Sequence, residues 1–505
     1  MPSRILEIKQ VPRTHDTFLQ LYETRSRPQE PYVALSYCWG GNQPVKTTKE
    51  TLRDHLRLGI KMQNLPDTVK HAVRVAEGLG ILKIWIDAFC IIQGDRLDEA
   101  REIAQMPLIY SQATVTITAS RAIGVEKGFL QVRPRMADDT PNQVFELPFR
   151  CSDNQLGSVV LLPQVEPSTE PLDTRAWALQ ERFLSPRILE YGTLQTRWIC
   201  QHKNDSGFPM DGYKALNVYN NERSDVLFIN ALKAIQGASN LDSAAPGQLR
   251  DLRHHWYNLV HVYTHRTLTK GTDRLPAISG IAAQFGGILR DEYKAGLWKS
   301  SMGFELLWTS GGFPPALQPR PEEYQAPSWS WASLNVPVRI PMRRDTDIDI
   351  EILDCQIKIQ AASVDFSVYD ASFGAVDSGS LKVKGRLQPA EWIHGDVLRK
   401  RYVQGPDGIL PASLYPDALE SELVLWDAIP LPVFLLKVST LGVEQVSGSL
   451  GIKMVNGLVL REQGDSKFSR LGVFEFYESD EVRNLQFQSC LDWLDGSPMQ
   501  TITIV

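Results

Sequence analysis

The chain has 505 residues, 22% of them charged and 43% hydrophobic, with a formal net charge of −6. That length exceeds what one compact core holds and points to two or three domains of ordinary soluble, globular composition. Both signs of charge are interspersed, so nothing advertises a nucleic-acid surface and no nucleic-acid partner is expected, although a small basic patch stays open locally.

The opening stretch "MPSRILEIKQVPRTHDTF" lacks the apolar core of a signal peptide and reads as mature protein. The longest apolar stretch, "LVLWDAIPLPVFLLKV", is broken by Asp427, Pro430 and Pro432 and is too short to span a bilayer. Six cysteines are scattered without a CxxC pair, which argues for a reducing cytoplasm and against a disulfide framework or a structural zinc site.

In chain order, "YVALSYCWG" is a β-rich run ending at glycine. "LPDTVKHAVRVAEGLG" carries helix start and stop signals around Val69, Ala72 and Val73. "ILKIWIDAFCII" reads as a strand buried on both faces, and "RLDEAREIAQMPLIYSQA" as an amphipathic helix before the short strand "TVTITAS". An irregular insertion over 121–172 holds a hairpin formed by "FELPFRC" and "GSVVLLP". The helix "TRAWALQERFL" follows, ended by Pro186, and then the strands "ILEYG" and "TRWIC". This alternation predicts an α/β fold, a parallel sheet flanked by helices, over residues 1–205. Residues 206–335 read as a helical extension, including "DLRHHWYNLVHVYTHRTLT". Residues 336–505 read as a β-rich C-terminal module, a sandwich or small barrel.

On a helix, positions i and i+4 share a face, so Trp177 and Glu181 lie together beside the stripe of Ala176, Leu179 and Phe183. Two readings stand. Glu181 pairs with Arg182 or Arg187 on an ordinary surface helix, or it lines the mouth of a cleft beside a stacking ring. Ser36, Tyr37, Trp39, Gly40 and Gly41 sit where a strand of a parallel sheet ends, the usual position for a ligand. The glycines there permit close approach to a phosphate, while Trp39 reads equally as a core aromatic. Asp87, placed inside an apolar strand, needs partners, and the backbone amides of the "SYCWG" loop are the expected ones. Cys90 reads as a packing residue, Glu99 and Glu102 as a solvated helix face, and His261 and His265 as a polar helix face with no metal.

Five segments in order, "YVALSYCWGG", "LPDTVKHAV", "IWIDAFCIIQGD", "AQMPLIYSQATVTITAS" and "RAWALQERFLSPRIL", resemble the fungal heterokaryon-incompatibility (HET) domain over about residues 30–190. The segments "YTHRTLTKGTDRLPAISGIA", "AGLW" and "APSWSWAS" resemble the extension that follows it in longer members. The resemblance implies a TIR-like, flavodoxin-like fold and a role in non-self recognition and cell death. By its likeness to TIR domains it also implies NAD⁺ as a substrate whose nicotinamide–ribose bond is cleaved, with no further cofactor required. Glu181 then is the catalytic carboxylate facing an oxocarbenium-like state, and Ser36, Tyr37, Trp39, Gly40, Gly41, Asp87, Arg175 and Trp177 form the nucleotide pocket. Two alternatives are a self-associating, non-catalytic signalling protein with a protein partner, and a fold recruited to small-molecule biosynthesis.

Overall fold

The computed structural model describes residues 2–10, 16–24, 30–132, 145–150, 154–161, 169–201, 210–212, 246–310, 317–341, 348–367, 372–393, 402–405, 408–410, 412–419, 431–445, 452–477 and 484–505. The chain divides into two compact units, Met1–Val226 and Leu227–Val505.

The first unit is built on a nine-stranded sheet. Its strands are β1 (Arg4–Gln10), β2 (Thr17–Glu23), β3 (Val33–Ser36), β4 (Ile60–Lys61), β5 (Lys83–Trp85), β6 (Val115–Thr118), β9 (Arg187–Tyr191), β10 (Gln195–Cys200) and β11 (Met210–Gly212). A separate hairpin, β7 (Phe145–Arg150) with β8 (Leu156–Leu161), fills the insertion as expected. In space the order is β11-β10-β9-β6-β3-β5-β1-β2-β4. Only the centre is parallel, through β5–β3, β3–β6 and β6–β9. The sheet is therefore mixed, a correction to the all-parallel expectation: an antiparallel β1–β2 hairpin extends one side and an antiparallel β9–β10 pair the other. Every residue of β3 and β6 is buried, the mark of strands covered on both faces.

Among the described residues, helices of six residues or more connect the parallel strands. They are α1 (Leu52–Arg57) and α2 (Asp67–Gly78) between β3 and β5, α4 (Arg96–Gln112) before β6, and α5 (Ala176–Leu184) before β9. On α2 the buried residues Val69, Ala72, Val73 and Ala76 follow helical spacing. The Asp95 side chain caps α4 by accepting from the Leu97 amide at 3.2 Å. The segment "ILKIWIDAFCII" is a strand only as far as Trp85. The chain then turns into the short helix α3 (Asp87–Cys90), because the Ile86 carbonyl accepts from the Phe89 and Cys90 amides. Asp87 thus starts a helix and does not sit in a strand; a short apolar run does not distinguish the two.

Glu102 is also corrected, from solvated face to core. Arg4 of β1 donates through Nε to the Cys90 carbonyl at 2.7 Å and pairs with Asp98, with Glu102 at 3.7 Å. Asp98 in turn accepts from the Ile92 amide at 2.8 Å, and Glu99 accepts from the Gly94 amide.

The second unit contains α6 (Pro246–Thr264), α7 (Ser279–Leu289) and α8 (Met302–Glu305). With them go the short pairs β12–β13 (Tyr293–Lys294, Leu297–Trp298) and β14–β15 (Thr309–Ser310, Val338–Arg339). The C-terminal strands include β16 (Ile348–Cys355), β17 (Lys358–Phe366), β18 (Val376–Ile393), β19 (Tyr402–Gly405), β20 (Gly408–Leu410), β21 (Ala412–Pro416), β22 (Leu431–Gln445), β23 (Ile452–Gly464), β24 (Lys467–Tyr477) and β25 (Met499–Ile504). Strands β18, β22, β23, β24 and β25 pair in a closed circuit, which makes the β-rich region a small barrel. The helix α9 (Asn484–Asp495) packs Phe487, Cys490 and Leu494 against Leu435, Val459 and Phe474 of the barrel.

Candidate functional site

Ser36 ends β3, the first of the parallel strands, and its hydroxyl donates to the Glu181 carboxylate on α5. Glu181 is 9% exposed. The surface-pair reading of this residue does not hold: Arg182 pairs with Glu190 at 2.8 Å, and Arg187 donates to the Thr114 carbonyl. Indeed α5 is buried almost all round, at Ala176, Ala178, Leu179, Gln180, Glu181, Phe183 and Leu184.

The other expected residues gather around the same point. Arg175, the residue before α5, donates from Nη1 to the Tyr37 carbonyl at 2.7 Å and so ties the "SYCWGG" loop to the helix. Asp87 accepts from the Trp39 indole at 2.8 Å and from the Ala88 amide at 2.7 Å. It holds the loop as expected, but through an indole and not through backbone amides. The buried Tyr37 side chain lies beside Asp87 and within the fields of Arg175 and Glu181. Trp177 is half-buried on the same helix as Glu181.

Two carboxyls and one guanidinium share this low-dielectric volume. Burial raises Glu181 to about 7; the Ser36 hydroxyl and Arg175 pull in the opposite direction, while the charge of Asp87 adds to the rise. Asp87 is likewise raised by burial and drawn back by the Trp39 hydrogen bond and by Arg175. A carboxyl titrating near neutrality beside a fixed cation can hold or release a proton, or face a growing positive charge.

Residues 32–181 match the family described as "Heterokaryon incompatibility protein (HET)". This region is a HET domain. No curated protein and no solved structure matches the chain. The matched span holds Ser36, Tyr37, Asp87, Arg175 and Glu181, and the β1–β2 hairpin lies outside it.

One member of the cluster within the HET domain was not anticipated. Tyr110 of α4 donates to the Leu35 carbonyl at 3.1 Å, packs edge-on against Trp85 at 5.7 Å, and lies beside both Glu181 and Asp87. The only sequence signal for it is a tyrosine late in an amphipathic helix, a common core position.

The glycines separate into two cases. Gly40 has φ +70° and a Cβ there would meet Gly124 Cα at 2.5 Å, so its close approach is to the chain's own backbone and not to a phosphate. Gly41, φ +130°, faces open space. Cys90 is fully buried and its thiol is pushed up to about 12, which suits packing and not nucleophilic attack. In the second unit His261 Nδ1 lies 3.0 Å from the Val338 carbonyl and His265 Nδ1 lies 2.8 Å from the His261 carbonyl, so each ring has a backbone partner.

Proposed function

We propose that the HET domain binds a nicotinamide dinucleotide at the carboxyl ends of its parallel strands and cleaves the nicotinamide–ribose bond, with Glu181 as the catalytic carboxylate. The observation that carries this reading is the burial of Glu181 against Ser36 at the end of β3, with Arg175 and Asp87 in its field. The parallel strands run in the order second, first, third, fourth along the sheet (β5-β3-β6-β9), which supports the TIR-like, flavodoxin-like reading of the fold. In such a sheet the crevice opens where the connections diverge, between β3 and β6, and Ser36 lies at that point.

Cleavage leaves neutral nicotinamide and builds positive charge on the ribose, so the leaving group needs no acid; water then bonds to the ribose carbon and releases a proton. The ionised form of Glu181 faces that charge, and the Ser36 hydroxyl fixes its orientation. Arg175 and the Trp39–Asp87 bond hold the loop that would contact the nucleotide. In the cell this activity would serve heterokaryon incompatibility and cell death.

The burial of Glu181 favours a second reading, in which the same network only braces β3 against α5 and the domain signals by self-association. Nicotinamide release from NAD⁺ by concentrated full-length protein decides between them. Glu181→Gln is expected to lower the rate at least a hundredfold, and the wild-type rate is expected to rise with pH through about 7. Equal rates for both proteins, or no release by either under crowding, would remove the catalytic reading.

A further inference from the structure

The outer surface of the C-terminal barrel carries a basic patch that the net charge of the chain conceals. Lys384 of β18 stands directly opposite Lys358 of β17, and Lys382 is two residues from Lys384 on the same exposed face. On its other side β18 pairs with β25, which sets Thr501 beside Lys384 and Thr503 beside Lys382. Thr503 is in turn the register partner of Lys467 on β24. All four lysines are exposed, while Leu381 and Val383, which alternate with them, are fully buried. Among the described residues none of the four pairs with a carboxylate. The carboxylates near these lysines lie at the margins: Asp365 and Asp377 take the Ser378 and Ser367 hydroxyls at the far end of the β17–β18 pair, Asp465 sits in the turn two residues before Lys467, and Asp495 lies 3.8 Å from Arg386.

Like charges placed directly across a strand pair destabilise a sheet, so Lys358 opposite Lys384 is a cost that the fold itself does not repay. A bound anion would repay it. We infer that this face of the barrel is a docking surface for the phosphodiester backbone of a nucleic-acid duplex. Lysines spaced by the sheet, at about 4.8 Å between strands and about 6.8 Å along one, with threonine hydroxyls between them, form the donor set that contacts phosphates and positions a duplex. The exposed ring nearest the patch, Tyr324, lies by Asp365 and Asp377 at the margin and not among the lysines, so unpaired bases have no ring to stack on between them. Its arginine, Arg386, two residues from Lys384 on the same strand, is engaged by Asp495 at 3.8 Å and by the Ser497 carbonyl at 2.7 Å, and so does not project as the kind of anchor that dominates protein interfaces. Met499, at its rim, is its one exposed large apolar side chain, too little for a membrane-inserting surface.

The test uses the full chain and a short labelled duplex of mixed sequence, with binding read by fluorescence anisotropy across a salt series. Four phosphate contacts predict a slope of log K against log salt of about −3.6. Lys382→Gln with Lys384→Gln is expected to halve that slope. Lys127→Gln, an exposed lysine of the first unit, is expected to leave it unchanged. Circular dichroism of each variant checks that the fold is kept. Because the chain is net negative, binding that survives the double substitution with an unchanged slope would overturn the inference. No binding at low salt would also overturn it, as would retention by phosphatidylserine vesicles or polyglutamate in place of the duplex.

Discussion

Glu181 links the proposed chemistry to stability, and the two effects have opposite signs. Its carboxyl is held at about 7 in the folded chain against an ordinary 4.5, chiefly because burial disfavours the charged form. A raised folded value contributes stability that is fully present below the unfolded value and is lost as pH climbs through the folded one. Ionising Glu181 therefore costs the fold roughly 3 kcal/mol between about pH 4.5 and pH 7. Glu181→Gln keeps the shape and removes the charge. Relative to wild type, the variant is expected to gain roughly 3 kcal/mol in urea unfolding on going from about pH 5 to about pH 8, while losing nicotinamide release. A carboxyl that only braces the fold would show the same pH dependence of stability, so the loss of nicotinamide release is what separates the two readings. In the second unit Glu305 is likewise raised to about 7 by burial, and its carboxyl accepts from the Tyr257 hydroxyl, the Ser301 hydroxyl and the Trp298 amide.

At the scale of elements, the HET domain depends on a hairpin that its family match does not include. Arg4, on β1, reaches past its own sheet neighbour to hold the Cys90 carbonyl and Asp98, and so fixes the turn that presents Asp87. Arg4→Ala leaves Asp98 and Glu102 buried without their cation and is expected to cost about 3–5 kcal/mol in chemical denaturation, with nicotinamide release falling alongside. A truncation to residues 32–181 loses the same clamp. That dependence was not legible in the sequence, since Arg4 and Asp98 lie on elements that only the sheet order brings together. What periodicity does encode was readable: α2, α4, α5, the β7–β8 hairpin and the β-rich character of the C-terminal region lie where apolar spacing and turn residues put them, although β16 and β17 fall within one apolar run. Ser36 and Arg175 were readable because each borders an element, and Glu181 was readable from its spacing to Trp177; Asp87 was singled out but placed in a strand, whereas it begins α3. Strand direction at the sheet margins was not, since it is set by which neighbour a strand meets. Nor was Tyr110, whose hydroxyl matters only once α4 packs over β3. The four lysines of the barrel face are a third such case, spread over 110 positions and joined by register alone.

Across the second unit, one buried cation joins the barrel to the helical elements before it. Arg470 of β24 is fully buried. Its guanidinium donates to Asp417 at 2.9 and 3.0 Å, to the Leu306 carbonyl at 2.6 Å and to the Trp308 carbonyl, and it stacks over the Trp308 ring at 3.5 Å. Burial lowers its pKa and the Asp417 charge counters that, as expected for a guanidinium kept ionised by its partner. Arg470→Met fills the volume but leaves the Asp417 carboxylate with only Arg320 at 3.9 Å and leaves two carbonyls without their donor, so about 3 kcal/mol of stability is expected to go. Hydrogen exchange read by mass spectrometry locates the loss: protection should fall at 306–308 and along β21 and β24, not in the sheet of the first unit. Replacing the partner as well, with Asp417→Leu on Arg470→Met, removes the stranded charge, and well-packed apolar pairs often match the ion pairs they replace. Most of the lost stability should then return. If the double variant stays as weak as the single one, the cost lies in the abandoned carbonyls of Leu306 and Trp308, and the helical segment is held by those two hydrogen bonds more than by the charge pair.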